Sequence, residues 1–179
     1  MSLRLAVLAM LDLEPASGYA LLRRFQNSAG FFWHTSHQQL YKELHALHAE
    51  ALIDCAEVAQ DGKPDMKVYT LNERGGRELD ALLAQAATPL KIRDPLLVKL
   101  FAGRRLPPSE LLAELERHRA QHLQTLATYE ELVSYLAAMP AERNQRYFFP
   151  QQTLRMGVLY EKAWLQWCDE VKAELASRT

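Results

Sequence analysis

The stretch Thr35-Ser36-His37-Gln38-Gln39 constrains the fold of this chain more than any other. Ser36 stands just ahead of a helical pattern and Gln39 lies three residues on. At that spacing the Ser36 hydroxyl accepts from the backbone N–H of Gln39, while the Gln39 side chain reaches back to the backbone of Ser36. Behind this capping box, Leu40, Leu44, Leu47 and Ala51 recur at i, i+4, i+7 and i+11 and form one buried stripe. The opposite face carries His37, Gln38, Tyr41, Lys42 and His45, all of which can hydrogen-bond. Leu52-Ile53-Asp54-Cys55 then reads as a strand, Asp61-Gly62-Lys63-Pro64-Asp65 as a turn, and Met66 to Leu71 as the returning strand. A polar-faced helix followed by a hairpin with a charged tip is how a winged helix lays one element in the DNA major groove and another on the flanking backbone.

Upstream, Leu3, Val7, Met10 and Leu11 form an earlier helical face that Glu14-Pro15 interrupts, and Ser17 is placed to cap a second helix bearing Tyr19, Leu22 and Phe25. Three segments now stand in order: Leu13-Glu14-Pro15-Ala16-Ser17-Gly18-Tyr19-Ala20-Leu21, Trp33-His34-Thr35-Ser36-His37-Gln38-Gln39-Leu40-Tyr41, and Lys67-Val68-Tyr69-Thr70-Leu71-Asn72-Glu73-Arg74-Gly75. Together they closely resemble the PadR family of transcriptional regulators, and the resemblance covers the first 86 residues. The remainder is similar, by pattern more than by motif, to the α-helical C-terminal domain of the PadR branch related to virulence-gene activators. Two positions depart from the family pattern. Ala51 stands where Gly is usual, which makes the bend after the helix less free. Asn72 stands where Thr is usual, and Asn is itself a good helix N-cap.

The resemblance and the patterning imply a mainly α chain with a small β-hairpin wing. A winged helix-turn-helix domain is expected over residues 1–86 and an α-helical dimerisation and effector domain over residues 87–179. The implied function is sequence-specific binding of a pseudo-palindromic operator by a homodimer, as a repressor released by a small aromatic molecule. The expected DNA-binding set is Ser36, His37, Gln38, Tyr41 and Lys42 on the helix with Lys63 and Lys67 on the wing. Gln makes a bidentate contact with adenine, so Gln38 is the best single base reader. Tyr41 either donates to a phosphate or packs beneath the helix, and the phosphate contact is the expectation.

Charge pulls the other way. Residues 1–86 carry eight Lys and Arg against eleven Asp and Glu, formally −3, whereas residues 87–179 are formally +2. DNA affinity rests on neutralised phosphates, so a domain of this balance has to gather Arg23, Arg24, Lys42, Lys63 and Lys67 on one surface. The acidic balance favours one rival, a winged-helix module that binds protein. No apolar run approaches membrane-spanning length and no signal-peptide pattern opens the chain, so a cytoplasmic protein without membrane association is expected. There is no Gly-rich phosphate loop, nucleophile elbow or paired-carboxylate frame, and Glu130-Glu131 reads as solvated charge, so neither catalysis nor a cofactor is expected.

In the second half, Asn72 opens a helix expected to end near Thr88-Pro89, and Asp94-Pro95 caps a short one that Gly103 stops. Ser109 is then expected to cap a helix reaching Met139-Pro140. Its Leu112, Leu115, Arg119, His122, Leu126, Tyr129, Val133 and Leu136 keep alternating three and four spacings. A last helix from about Gln151 repeats the spacing through Leu154, Val158, Glu161, Leu165, Cys168 and Leu175, after an aromatic connection at Tyr147-Phe148-Phe149-Pro150. Such long seams predict an arm completed by a second copy. Arg119 and His122 within the seam read as register devices or as solvent-edge residues.

Trp164 and Trp167 are the candidate stacking surfaces for the effector, against packing in the core, with Trp164 the more inward. The second rival is a metal- or redox-responsive regulator. The pairs His34/His37, His45/His48 and His118/His122 have suggestive spacings, with Glu114 beside the last. A zinc site wants three or four converging ligands, so no metal site is assigned. Cys55 and Cys168 are expected to be buried thiols acting as small apolar residues.

Overall fold

The structure, a computed structural model, describes residues 3–25, 33, 35–60, 63–89 and 91–177, with the backbone alone at 60, 63 and 64. It divides into two compact units, Met1–Pro89 and Leu90–Thr179.

In the first unit, α1 (Leu3–Leu13) turns Val7, Leu8 and Leu11 inward. β1 (Ala16–Ser17) leads into α2 (Gly18–Arg24), whose first turn is closed by the Ser17 hydroxyl accepting from the N–H of Ala20 at 3.2 Å. Gly18 and Leu21 of α2 and Phe25 at its C-cap are buried and Leu22 packs partly buried against the core, so of the expected Tyr19, Leu22 and Phe25 only Tyr19 turns outward, 66% exposed. The helix starts so tightly after β1 that its first residue is itself buried, which rotates Tyr19 outward. α3 (His37–Ala49) has both bonds of the Ser36–Gln39 capping box and buries Leu40, Leu44 and Leu47 completely. Together these residues, with Ile53, Tyr69 and Leu79, make the hydrophobic core of the unit.

α3 ends in a Schellman turn. The N–H of Ala51 donates to the carbonyl of His48 at 2.9 Å and that of Leu52 to Leu47 at 3.0 Å. This geometry needs a left-handed residue, and Ala51 supplies it at φ 55°, exposed rather than on the buried stripe. The chain then enters β2 (Ile53–Gln60) and returns as β3 (Lys63–Leu71). Both strands are longer than the sequence suggests, because the ladder runs on from Val58↔Met66 to Gln60↔Lys63 through an irregularity, and so Lys63, Pro64 and Asp65 join the strand. The sheet order is β1-β3-β2, all antiparallel, with Tyr69 opposite both Ala16 and Cys55.

α4 (Glu73–Leu83) begins at the same corner. Asn72 accepts from the N–H of Gly75 at 3.0 Å and donates to the carbonyl of Ala51 at 3.2 Å and to Asp54 at 3.1 Å. A Cβ on Gly75 would sit 2.0 Å from the carbonyl oxygen of Leu52, so no side chain fits there. The helix stops at Leu83 rather than near Thr88, since the residues from Leu83 to Pro89 are exposed and have no apolar face to bury.

In the second unit, Asp94 caps α5 (Pro95–Phe101), and a 3₁₀ turn follows at Gly103–Arg105. α6 (Pro108–Ala137) opens on Pro108 with no side-chain cap, so Ser109 lies inside the first turn instead of capping it. α7 (Ala141–Arg146), which the sequence did not announce, joins it to α8 (Phe148–Ala176). The aromatic segment expected as a connection is therefore the first turn of α8. The long seam of α6 is occupied within the chain, where the expectation was a second copy. Leu115, Leu126, Tyr129 and Leu136 are buried, and cross-helix pairs run down the hairpin from Lys172–Glu116 and Arg119–Asp169 to His122–Glu161 and Lys162–Glu130. Val133, near the turn that joins α6 to α8, stays 43% exposed.

Candidate nucleic-acid interface

The outward surface of α3 is built by its own spacing. With Leu40, Leu44 and Leu47 inward, His37, Gln38, Lys42 and His45 are all exposed beside the cap at Ser36. Two of the acidic residues are tied up away from that face. Arg4 of α1 donates to both carboxylate oxygens of Glu50, at 2.6 and 2.9 Å, and to Glu43 at 3.2 Å. Its guanidinium holds the Glu50 carboxyl below the ordinary carboxylate range, chiefly through those hydrogen bonds. Glu43 is the only carboxylate within α3, so the exposed face of that helix presents none.

The cations are not used as expected. Arg24 turns back onto Glu14 at 2.6 Å and onto its carbonyl at 3.2 Å, so its charge braces the α1–α2 turn. Lys67 faces Glu57 across the hairpin at 3.8 Å, both largely exposed, a pairing that water and salt weaken. Arg23 and Lys42 are exposed, with no ion-pair partner among the described residues. Lys63 has its backbone in β3 and its side chain outside the described residues, where His34 lies altogether.

Tyr41 is half-buried against α2. A Cβ on Gly18 would lie 2.7 Å from the Tyr41 Cζ, 2.8 Å from its hydroxyl oxygen and 2.9 Å from Cε1. The same ring carries the imidazole of His37, stacked at 4.3 Å with 27° between planes. In the sequence Gly18 stands out only as part of a motif, since a pattern cannot reveal which ring fills the space a missing side chain leaves.

Trp164 and Trp167 meet edge to face at 4.9 Å and 86°, and both pack against the cluster of Leu96, Leu115 and Cys168. Trp164 was expected to be the more inward of the two, yet both reach the same cluster. α5 lies against this end of the hairpin and gives both indoles an apolar neighbour. One face of Trp164 is covered by His122, stacked at 4.5 Å and 12°. His122 Nδ1 is 2.5 Å from the buried Glu161 carboxylate. Both residues fell on apolar stripes in the sequence, which was the available sign of a buried polar pair.

The metal-site candidate does not assemble. Glu114 binds Lys99 at 2.6 Å and Arg117 at 2.8 Å, while His122 turns away to Glu161. Among the described residues, no three His, Cys, Asp or Glu converge on a common point. Cys168 is fully buried and burial pushes its thiol up, whereas Cys55 is only half-buried. No described helix is long and apolar enough to cross a membrane.

Known proteins share this architecture from end to end. Residues 7–81 match the transcriptional regulator PadR-like family and residues 92–176 the virulence activator alpha C-terminal family. The probable transcriptional regulator Rv1176c of Mycobacterium tuberculosis is 30% identical, over 99% of this chain and 100% of its own. The negative transcriptional regulator PadR of Bacillus subtilis is 28% identical, over 96% of each chain. Its crystal structure with operator DNA superposes with a TM-score of 0.79 at 25% identity, covering 97% of this chain and 98% of that one. Its complex with p-coumaric acid has the same fold, at a TM-score of 0.74, 24% identity and 97% and 95% coverage. With a relative at this identity along the whole length and both halves matched in order, the chain belongs to the PadR-like family of transcriptional regulators, which are not enzymes.

Proposed function

We propose that the chain binds a pseudo-palindromic operator as a homodimer and represses transcription until a small aromatic effector releases it. The carrying observation is the capped, carboxylate-free face of α3, with Ser36, His37, Gln38 and Lys42 outward, next to a wing bearing Lys63 and Lys67. In this reading α3 enters the major groove, Gln38 reads a base edge, and the wing lysines meet flanking phosphates. The operator complex and the negative-regulator name of the Bacillus subtilis relative support operator binding and repression.

The dimer surface is the outer side of α8. Phe149, Met156 and Leu159 recur there at i, i+7 and i+10, and are 78%, 56% and 55% exposed. The effector, by analogy with the p-coumaric acid complex, is a planar aromatic acid that stacks at Trp164 and Trp167, competing with His122 for the Trp164 face. Gel shift of the DNA upstream of its own gene tests operator binding. Titration with p-coumaric acid should quench tryptophan fluorescence and weaken the shift together, as linkage requires. Trp164→Leu should keep DNA binding and lose that response. An unaltered response in the folded variant places the effector elsewhere.

A further inference from the structure

We propose that Gly18 is a positioning residue for operator specificity: the space it leaves is filled by the Tyr41 ring, and that ring fixes the imidazole of His37 on the DNA-facing surface. The inference rests on the operator reading above and deepens it.

Gly18 opens α2 in ordinary helical backbone, a conformation any residue adopts, and no left-handed turn requires a glycine there. What requires it is the Tyr41 ring, three of whose atoms would lie within 2.9 Å of a Cβ at this position. Tyr41 is therefore seated against the α2 backbone and not directed at a phosphate. His37, one helical turn earlier on α3, is exposed yet stacked on that seated ring at 4.3 Å. Without it, the first side chain of α3 would sample its rotamers freely. With it, the imidazole edge meets the groove at one angle, and an ordered donor or acceptor discriminates bases where a mobile one does not. The ring is thus positioned by α2 and the reader by the ring. A buried glycine in the first helix of the pair controls what the second helix reads.

The test compares the full-length chain on a duplex from upstream of its own gene and on a scrambled duplex of equal composition, by fluorescence anisotropy. A wild-type chain with no preference between the two overturns the operator reading itself. Given a preference, Gly18→Ala is expected to lower the operator-to-scrambled ratio about tenfold. Its binding to the scrambled duplex, and the salt slope there, should stay within about twofold. Tyr41→Phe keeps the ring and should keep the ratio; a Tyr41→Phe variant that binds both duplexes more weakly would mark a phosphate contact by the hydroxyl and overturn the proposal. In a Tyr41→Leu background, or a His37→Ala background, Gly18→Ala should bring no further loss of ratio. Additive losses there would show that Gly18 acts by another route. The double variant Gly18→Ala/Tyr41→Leu removes the clash, so the comparison survives even if Gly18→Ala alone folds poorly.

Discussion

Ala51→Gly should stabilise the N-terminal unit, although it only removes an exposed methyl group. Ala51 sits at φ 55°, the position after the cap of α3 where the Schellman bonds of Ala51 and Leu52 close. A residue with a Cβ costs about 1–2 kcal/mol in that conformation. Glycine removes this cost and returns roughly 0.4–1 kcal/mol through the greater freedom of its unfolded chain. The methyl group is exposed, so no packing is lost. The net gain is roughly 0.5–1 kcal/mol, which corresponds to about 3–6 °C in melting temperature for a unit of this size. Because the chain has two units, whole-chain melting is not a two-state measurement. Native-state hydrogen exchange at Leu47, Ile53 and Tyr69 reads this unit alone, and exchange there should slow severalfold. Unchanged or faster exchange in a correctly folded variant would refute the strain. The same corner supplies a second check. The Asn72 amide donates to the Ala51 carbonyl at 3.2 Å, so the two positions that depart from the family pattern touch each other. Asn72→Thr should then cost less in the Ala51→Gly background than alone, and strict additivity would mean that Asn72 does not hold the left-handed turn.

Glu114 is pushed down to about 2, first by its hydrogen bond from Lys99 and then by Arg117. A depressed carboxyl contributes stability that is complete above its ordinary value near 4.5 and is lost as pH falls from there through about 2. Acid titration of helicity should show α5 and α6 loosening in that window, and Glu114→Gln should flatten the profile; an unchanged profile would discount the Lys99–Glu114 tie. Gln38→Ala should cost roughly 1–3 kcal/mol on the operator only, whereas Lys63→Ala should weaken all DNA alike and lower the salt slope by about one unit. Equal losses on both DNAs for both variants would remove Gln38 as a base reader. Leu126→Lys places an unpaired charge inside the α6–α8 hairpin and should unfold the C-terminal unit, at several kcal/mol. Met156→Glu, on the outer side of α8, should give a folded monomer by light scattering. A folded dimer in the latter would place the interface on another surface.

What the sequence determined by itself was set by neighbours within one helical turn. The Ser36–Gln39 box, the Ser17, Asn72 and Asp94 caps, and the Leu40–Leu44–Leu47 stripe are all written at spacings of two to four residues, and each forms in the structure. A local rule cannot say which partner a face meets. The α6 heptad announces a side that must leave water, and only the tertiary structure decides that α8 of the same chain covers it. The two-residue strand Ala16–Ser17 has no pattern of its own and exists because Val68 and Tyr69 lie alongside it. Arg24 looks like a DNA-facing cation until the turn brings Glu14 within 2.6 Å. Tyr41 belongs to the polar face by spacing, yet it is seated by a glycine 23 positions earlier in the chain. Hydrogen-bond caps and amphipathic periods are short-range properties of the chain. The use of a charge, a ring or an apolar seam depends on what folding brings against it, and that is a property of the packed structure alone.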